Sequence, residues 1–254
     1  MIPKVIHYIW LGRGEFPPIV DKCVESWKKF CPDYEIKLWT EDNLDINLCP
    51  YVRQAYDAKK FAFASDVFRY YILEKEGGIY LDVDVELLKP IDELLKHQCF
   101  MGVEDKWTVA PGLIIGAEPH NPDIKNMLED YYNENFINEK GEVNLLTICK
   151  RSTNYYKKLG LKCDGSIESV STTTIYPKEY FNPTDLNTQK VKITDKTYSI
   201  HHYNASWYTP KLKFKRRVKT VLNKLSFGLF GKILEKIKYK KQKKEEKLNN
   251  GKNK

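Results

Sequence analysis

The sequence predicts an α/β fold, and three observations carry the prediction. Short β-branched and aromatic runs alternate with segments whose apolar residues recur at helical spacing. Gly and Pro punctuate the joins. The 254 residues, 42% of them hydrophobic, can build a real core, and no repeat period runs along them. Residues 5–10 form a β-branched and aromatic run closed by Gly12 and Gly14, which reads as a first strand. Pro17 and Pro18 then precede Val20, Val24 and Trp27 at helical spacing, and Pro32 ends that helix. Residues 34–39 read as a second strand. Ser65 is placed to cap a helix through Val67, Tyr70, Tyr71 and Leu73, which Gly77-Gly78 stops before a third strand over 79–85. Residues 100–103 and 113–117 suit further buried strands, and 122–132 reads as another helix. No linker is visible before about residue 210.

The net charge of +8 hides a division. Residues 211–254 hold 17 Lys/Arg against three acids, whereas residues 1–210 hold 25 against 31. The body is therefore acidic and the tail basic, which argues against nucleic acid as a partner of the fold. The six cysteines form no CxxC pair and no zinc-spaced Cys/His cluster, which fits a reduced, cytoplasmic setting. There is no signal-peptide core and no run approaching the ~18 apolar residues of a membrane span.

Chemistry concentrates in Gly77-Gly78-Ile79-Tyr80-Leu81-Asp82-Val83-Asp84-Val85. If the strand runs throughout, Tyr80, Asp82 and Asp84 share one face, with the two carboxylates about 7 Å apart. Charge at the end of an apolar strand is costly unless compensated, and Mg²⁺ or Mn²⁺ held by carboxylates and phosphate oxygens compensates it. The competing reading is a polar strand end with solvated aspartates. On the preceding helix Asp66 and Arg69 stand three apart and so share a face.

The string Ser65-Asp66-Val67-Phe68-Arg69, followed by Gly77-Gly78-Ile79-Tyr80-Leu81-Asp82-Val83-Asp84, resembles the DxD glycosyltransferases of glycosyltransferase family 32. Members include initiating mannosyltransferases and capsule enzymes, and the glucosylating domain of large clostridial toxins is a more distant relative. The opening Ile2-Pro3-Lys4-Val5-Ile6-His7-Tyr8-Ile9-Trp10-Leu11-Gly12 and the closing His201-His202-Tyr203-Asn204-Ala205-Ser206-Trp207 are similar to segments of the same family. So are Ala110-Pro111-Gly112 and Tyr176-Pro177-Lys178-Glu179-Tyr180-Phe181, so the likeness covers about residues 2–210.

The resemblance implies a GT-A-like nucleotide-sugar-binding fold, a central mixed sheet flanked by helices, over residues 1–210. It also implies a UDP- or GDP-sugar donor, a glycan or lipid-linked acceptor and retention of anomeric configuration, with a part in surface-polysaccharide (capsule) synthesis. By the same resemblance Trp10, with Ile9 and Leu11, holds the nucleotide base; a Trp at a strand end is otherwise a core residue. Ser65 and Asp66 contact base, ribose or sugar, Arg69 the diphosphate or sugar, and Tyr80 lines the site. Asp82 holds ribose or metal, Asp84 metal, and Ser206 and Trp207 donate to the diphosphate. His201 or His202 offers imidazole as a further Mn²⁺ ligand. No Asp or Glu stands out as a covalent nucleophile, which favours front-face attack.

Two other readings use the same residues. A haloacid-dehalogenase-type phosphatase would use the DxD aspartates, but Glu86 stands where that pattern needs Thr or Val, and the motif lies far from the N-terminus. A non-enzymatic, membrane-bound sugar-nucleotide-binding protein would be distinguished by an absence of slow donor hydrolysis. Residues 211–254 place Phe214, Val218, Val221, Leu222, Leu225, Leu229, Ile233 and Ile237 at helical spacing among lysines. This predicts a basic amphipathic helical tail, broken near Gly228 and Gly231, lying on an anionic membrane surface, which would put the protein peripherally at the inner face of the membrane. The competing readings are a terminal helix packed on the body with a solvated charged end and, less favoured because the apolar stripe would have no use, a nucleic-acid arm.

Overall fold

The computed structural model describes residues 1–185, 190–204 and 237. They fall into two compact units, Met1–Pro183 with Ile193–Trp207, and Thr184–Lys192 with Tyr208–Lys254. Of the second unit's described residues, Thr184 and Val191 form an antiparallel bridge. The expected boundary at residue 210 and the basic tail lie outside the described residues, apart from Ile237. Among the described residues no helix is long and apolar enough to cross a membrane.

The first unit is α/β, as expected. Its elements run β1 (Val5–Ile9), α1 (Ile19–Phe30), β2 (Glu35–Trp39), α2 (Pro50–Asp57), α3 (Phe61–Glu76), β3 (Gly78–Tyr80) and β4 (Val85–Leu87). There follow β5 (Cys99–Gly102), β6 (Ile115–Ala117), α4 (Pro122–Tyr132), α5 (Ile148–Lys158), β7 (Glu168–Val170), β8 (Thr173–Tyr176) and β9 (Ser199–His201). Seven strands form a mixed sheet in the order β2-β1-β3-β6-β5-β8-β7, and β4 pairs with β9 in a separate antiparallel ribbon. β1 runs parallel to both β2 and β3, with Ile6 opposite Ile79 and His7 opposite Tyr80. One apolar cluster gathers the buried faces of α2, α3, α4 and α5, and a second gathers α1, β4 and the segment around Ile91. The sheet is thus covered on both faces, which is why its strands read as continuous apolar runs.

Two expectations about α3 and β3 are corrected. Ser65 does not cap the helix. α3 begins at Phe61, because Phe61-Ala62-Phe63-Ala64 continues the apolar face, and the Ser65 hydroxyl donates back to the Phe61 and Ala62 carbonyls. β3 ends at Tyr80, and residues 81–84 turn so that Val85 N–H meets the Asp82 carbonyl at 3.0 Å. Asp82 and Asp84 therefore lie in a turn between two sheets rather than on one strand face.

The entry to that turn is set by a buried histidine. His7 is inaccessible to solvent. The Trp39 indole N–H donates to its Nδ1 at 3.1 Å, so the ring proton sits on Nε2 and is donated to the Gly77 carbonyl at 2.9 Å. Gly77 and Gly78 have φ of 65° and 95°, and a Cβ on Gly78 would lie 2.8 Å from His7 Nε2. Only glycine lets α3 reverse so closely over β1.

Burial pushes the His7 imidazole from 6.5 down to about 4. Between those values the unfolded chain binds a proton that the folded chain refuses. The contribution is whole above pH 6.5 and falls by about 3 kcal/mol as pH drops to 4. His7→Gln is expected to flatten this part of the stability curve. Denaturant unfolding of both proteins at pH 7.5, 6 and 4.5 measures it, and parallel curves would disprove it.

Candidate functional site

β1 and β3 end side by side, and the Leu81 N–H is still bonded to the His7 carbonyl at 3.1 Å. The carboxyl ends of such strands are where open α/β sheets bind ligands. Trp10 emerges from β1 here. Its backbone N–H bonds to the Trp39 carbonyl at 2.9 Å, its indole N–H to the Gly14 carbonyl at 2.7 Å, and its ring lies 5.1 Å from that of Phe16. Trp10 is half-buried, while Ile9 and Leu11 beside it are core residues that leave only backbone for a ligand.

α3 supplies a buried cation. The Arg69 guanidinium, 4% exposed as a residue, pairs with Asp66 at 2.9 Å and reaches Asp82 at 3.4 Å. It also lies over the Tyr80 ring, 4.6 Å from the centroid. Burial opposes its charge, but Asp82 and Asp66 outweigh that and lift the guanidinium above its ordinary value. Burial likewise pushes the Asp66 carboxyl up to about 7, with Arg69 pulling the other way. Arg69 Nη1 is buried without a hydrogen-bond acceptor, and Tyr80 Oη donates to Asp82 Oδ1 at 2.9 Å.

Asp84 is gripped from the far end of the chain. The β4–β9 ladder sets His201 opposite Val85, so the segment leaving β9 crosses the turn. His201 Nε2 donates to Asp84 Oδ1 at 2.9 Å, the Asn204 backbone N–H to Oδ2 at 2.7 Å, and the His202 N–H to the Asp84 carbonyl at 3.0 Å. Burial would raise the Asp84 carboxyl, yet the His201 and Asn204 donors hold it below its ordinary value. Burial similarly opposes the His201 imidazolium, and Asp84 outweighs it, so that ring titrates above its ordinary value.

Ligand atoms of Asp82, Asp84 and His201 all lie within 4.8 Å of one another. Two carboxylates and an imidazole suit Mn²⁺ or Mg²⁺ and leave coordination positions for substrate oxygens. The His201 nitrogen shown beside the carboxylates is Nε2, while Nδ1 is buried and makes no hydrogen bond. The residues present therefore fit a divalent cation. His202 is directed elsewhere: its Nε2 bonds Glu86 at 2.8 Å, and Glu86 also pairs with Lys22 at 2.7 Å. Of the two histidines only His201 joins the carboxylates. Ser206 and Trp207 lie outside the described residues.

Two site residues lie in segments that the family resemblance picked out, yet neither acts through side-chain chemistry. Asn204 acts through its backbone, which any residue supplies. Gly112 acts by lacking a side chain: its carbonyl accepts the Asp82 N–H at 3.4 Å, and a Cβ there would overlap the Asp82 carboxylate.

Residues 17–101 match the family model described as a glycosyltransferase sugar-binding region containing the DXD motif. The match includes Ser65, Asp66, Arg69, Tyr80, Asp82 and Asp84, while Trp10 and His201 lie outside it. Inositol phosphoceramide mannosyltransferase 3 of Schizosaccharomyces pombe is 36% identical over 111 residues, 39% of this chain. That alignment spans 29% of the relative's length. An uncharacterized glycosyltransferase, L373, of Acanthamoeba polyphaga mimivirus is 27% identical over 84% of this chain and 86% of its own. Among solved structures, the PaToxG glycosyltransferase aligns with a TM-score of 0.48 at 23% identity, over 62% of this chain and 70% of that one.

Gly112→Ala is expected to push the Asp82 carboxylate off Tyr80 and Arg69. Mn²⁺ affinity should fall about tenfold or more, the usual cost of disturbing what orients a metal ligand, with little change in melting temperature. Wild-type affinity in isothermal titration would rule the contact out.

Proposed function

We propose that this chain, which carries the DXD sugar-binding region of glycosyltransferases, is itself a metal-dependent glycosyltransferase that takes a sugar from a UDP- or GDP-sugar donor. The observation that carries the reading is the convergence of Asp82, Asp84 and His201 beside the buried Arg69. In glycosyl transfer the bond to the anomeric carbon lengthens while negative charge gathers on the leaving nucleoside diphosphate. Positive charge already in place there stabilises the transition state more than the ground state. Arg69 is fixed on α3 and charged, with Nη1 lacking an acceptor that a diphosphate oxygen would provide. Asp82, Asp84 and His201 would hold Mn²⁺ or Mg²⁺, which supplies further positive charge against the diphosphate. Trp10 offers a half-buried indole face to the base, and Asp66, paired to Arg69, is the carboxylate on α3 for sugar hydroxyls. We read the reaction as retaining, with front-face attack.

The acceptor is a glycan or lipid-linked glycan. Relatives named as inositol phosphoceramide mannosyltransferases support a lipid-borne acceptor and a mannose donor among those to try first. On its sequence pattern the basic tail from residue 211 brings the enzyme to an anionic membrane surface where such an acceptor resides. Synthesis of surface polysaccharide at the inner face of a membrane is the setting this favours. A phosphatase reading suffers from Glu86, which stands where that pattern needs Thr or Val.

A panel of UDP- and GDP-sugars with Mn²⁺, read out as released nucleoside diphosphate, tests the assignment. One donor should show slow release to water without acceptor, lost in EDTA. Asp84→Asn should cut turnover by at least ~10²-fold with the fold intact. No release from any donor, or full activity in EDTA, would overturn the reading.

Trp10→Ala should weaken nucleoside diphosphate binding by about 1 to 3 kcal/mol, the usual worth of stacking a base, and Trp10→Phe should recover much of it. Calorimetric titration beside a thermal melt separates this from a core role, in which stability falls and affinity per folded molecule stays constant.

A further inference from the structure

We propose that Tyr203 and Asn182 are positioning residues that hold the His201 imidazole ready for the cation, and so set the metal affinity of the site. The inference rests on the metal-dependent reading above and adds two residues to it.

Immediately after β9 the chain turns sharply. Tyr203 has φ of 50°, in the left-handed region that a residue with a Cβ enters only at a cost in free energy. Contacts at both ends hold it there. On one side Asp84 accepts the Asn204 N–H at 2.7 Å. On the other, Asn182 Nδ2 donates to the Tyr203 hydroxyl at 2.8 Å. Asn182 is fully buried and gives its second Nδ2 proton to the Glu104 carbonyl at 2.9 Å, so the amide is itself fixed in place. The turn lays the phenol ring against the imidazole, with centroids 4.1 Å apart.

His201 is thereby restrained in two ways. Asp84 binds Nε2, which sets the direction of the ring, and Tyr203 covers a face, which limits its rotation. Nδ1 is buried and makes no hydrogen bond, so no contact at that nitrogen competes with these two restraints. Histidine ligands owe much of their affinity to such outer contacts, because a ring already oriented loses little freedom when the ion arrives. A free imidazole on an extended strand end would have to be ordered at the expense of binding.

The test is Mn²⁺ titration of the full chain, followed by electron paramagnetic resonance of the free ion, without donor sugar. Tyr203→Leu is expected to weaken Mn²⁺ about tenfold, the lower end of what outer-shell changes cost, while raising Mn²⁺ restores nucleoside diphosphate release. Tyr203→Phe keeps the ring and loses the Asn182 bond, and is expected to weaken Mn²⁺ a few-fold with the fold retained and a melting temperature lowered by only a few degrees. Should Tyr203→Leu fail to fold, Tyr203→Phe decides. Wild-type affinity in a folded Tyr203→Leu, or in Tyr203→Phe if that alone folds, overturns the inference and leaves the metal reading standing. A wild-type chain that binds no Mn²⁺ overturns both.

Discussion

Charge buried at the end of an apolar sheet must be compensated, and most of the site follows from how this chain does it. Asp82 and Asp84 leave β3 in a turn where Asp84 is buried and Asp82 only partly exposed, so each draws a partner from another element. Arg69 comes from α3, His201 from the end of β9, and the Asn204 N–H from just beyond it. Each partner brings its element with it. The pairing of β4 with β9 delivers the histidine, and the burial of α3 delivers the guanidinium.

The compensation is incomplete, and the shortfall is what makes the arrangement useful. Three carboxylates, Asp66, Asp82 and Asp84, face one guanidinium and one imidazole whose proton is held above its ordinary value. The Asp66 carboxyl is pushed up to about 7 chiefly by burial, with Arg69 pulling the other way and Asp82 adding to the rise. A proton on His201 thus marks where positive charge is wanted, and a divalent cation answers that need more fully. Arg69 Nη1, which reaches Asp82 only at 3.4 Å and makes no hydrogen bond, is the converse: a donor left for a ligand oxygen to satisfy.

Glycine and histidine at the back of the site keep this geometry in register. Gly77 and Gly78 cross His7 so closely that the helix end, the first strand and the DxD turn form one packed joint. Gly112 plays the same part on the opposite side by giving the Asp82 carboxylate room. In both places the requirement is space for a neighbour, so the residue that matters is the smallest one.

Local pattern made much of the fold legible. β1, β2, α1, α4 and the Gly-Gly stop of α3 stand where apolar period and turn residues place them, and the pairing of Asp66 with Arg69 follows from helical spacing alone. α5 is not legible from apolar period because it packs through Ile148, Ser152, Thr153 and Tyr156, with hydroxyls doing what aliphatic groups usually do, and α2 is only eight residues long, buried through Tyr51, Val52 and Ala55. The chemistry of the site was likewise written in Asp82, Asp84 and the histidine pair, since only certain side chains ionise or ligate. Their arrangement was not. Reading the DxD segment as a continuous strand put both aspartates on one face, whereas the chain turns after Tyr80 because β4 leaves the main sheet to pair with β9, more than a hundred residues later. That pairing brings His201 to Asp84 while Glu86 takes His202. The sequence by itself determined which groups could carry charge and where helices could form, because those are properties of side chains and their near neighbours. Tertiary structure decided which of them meet, because long-range strand pairing and the compensation of buried charge are settled only when the whole chain has closed.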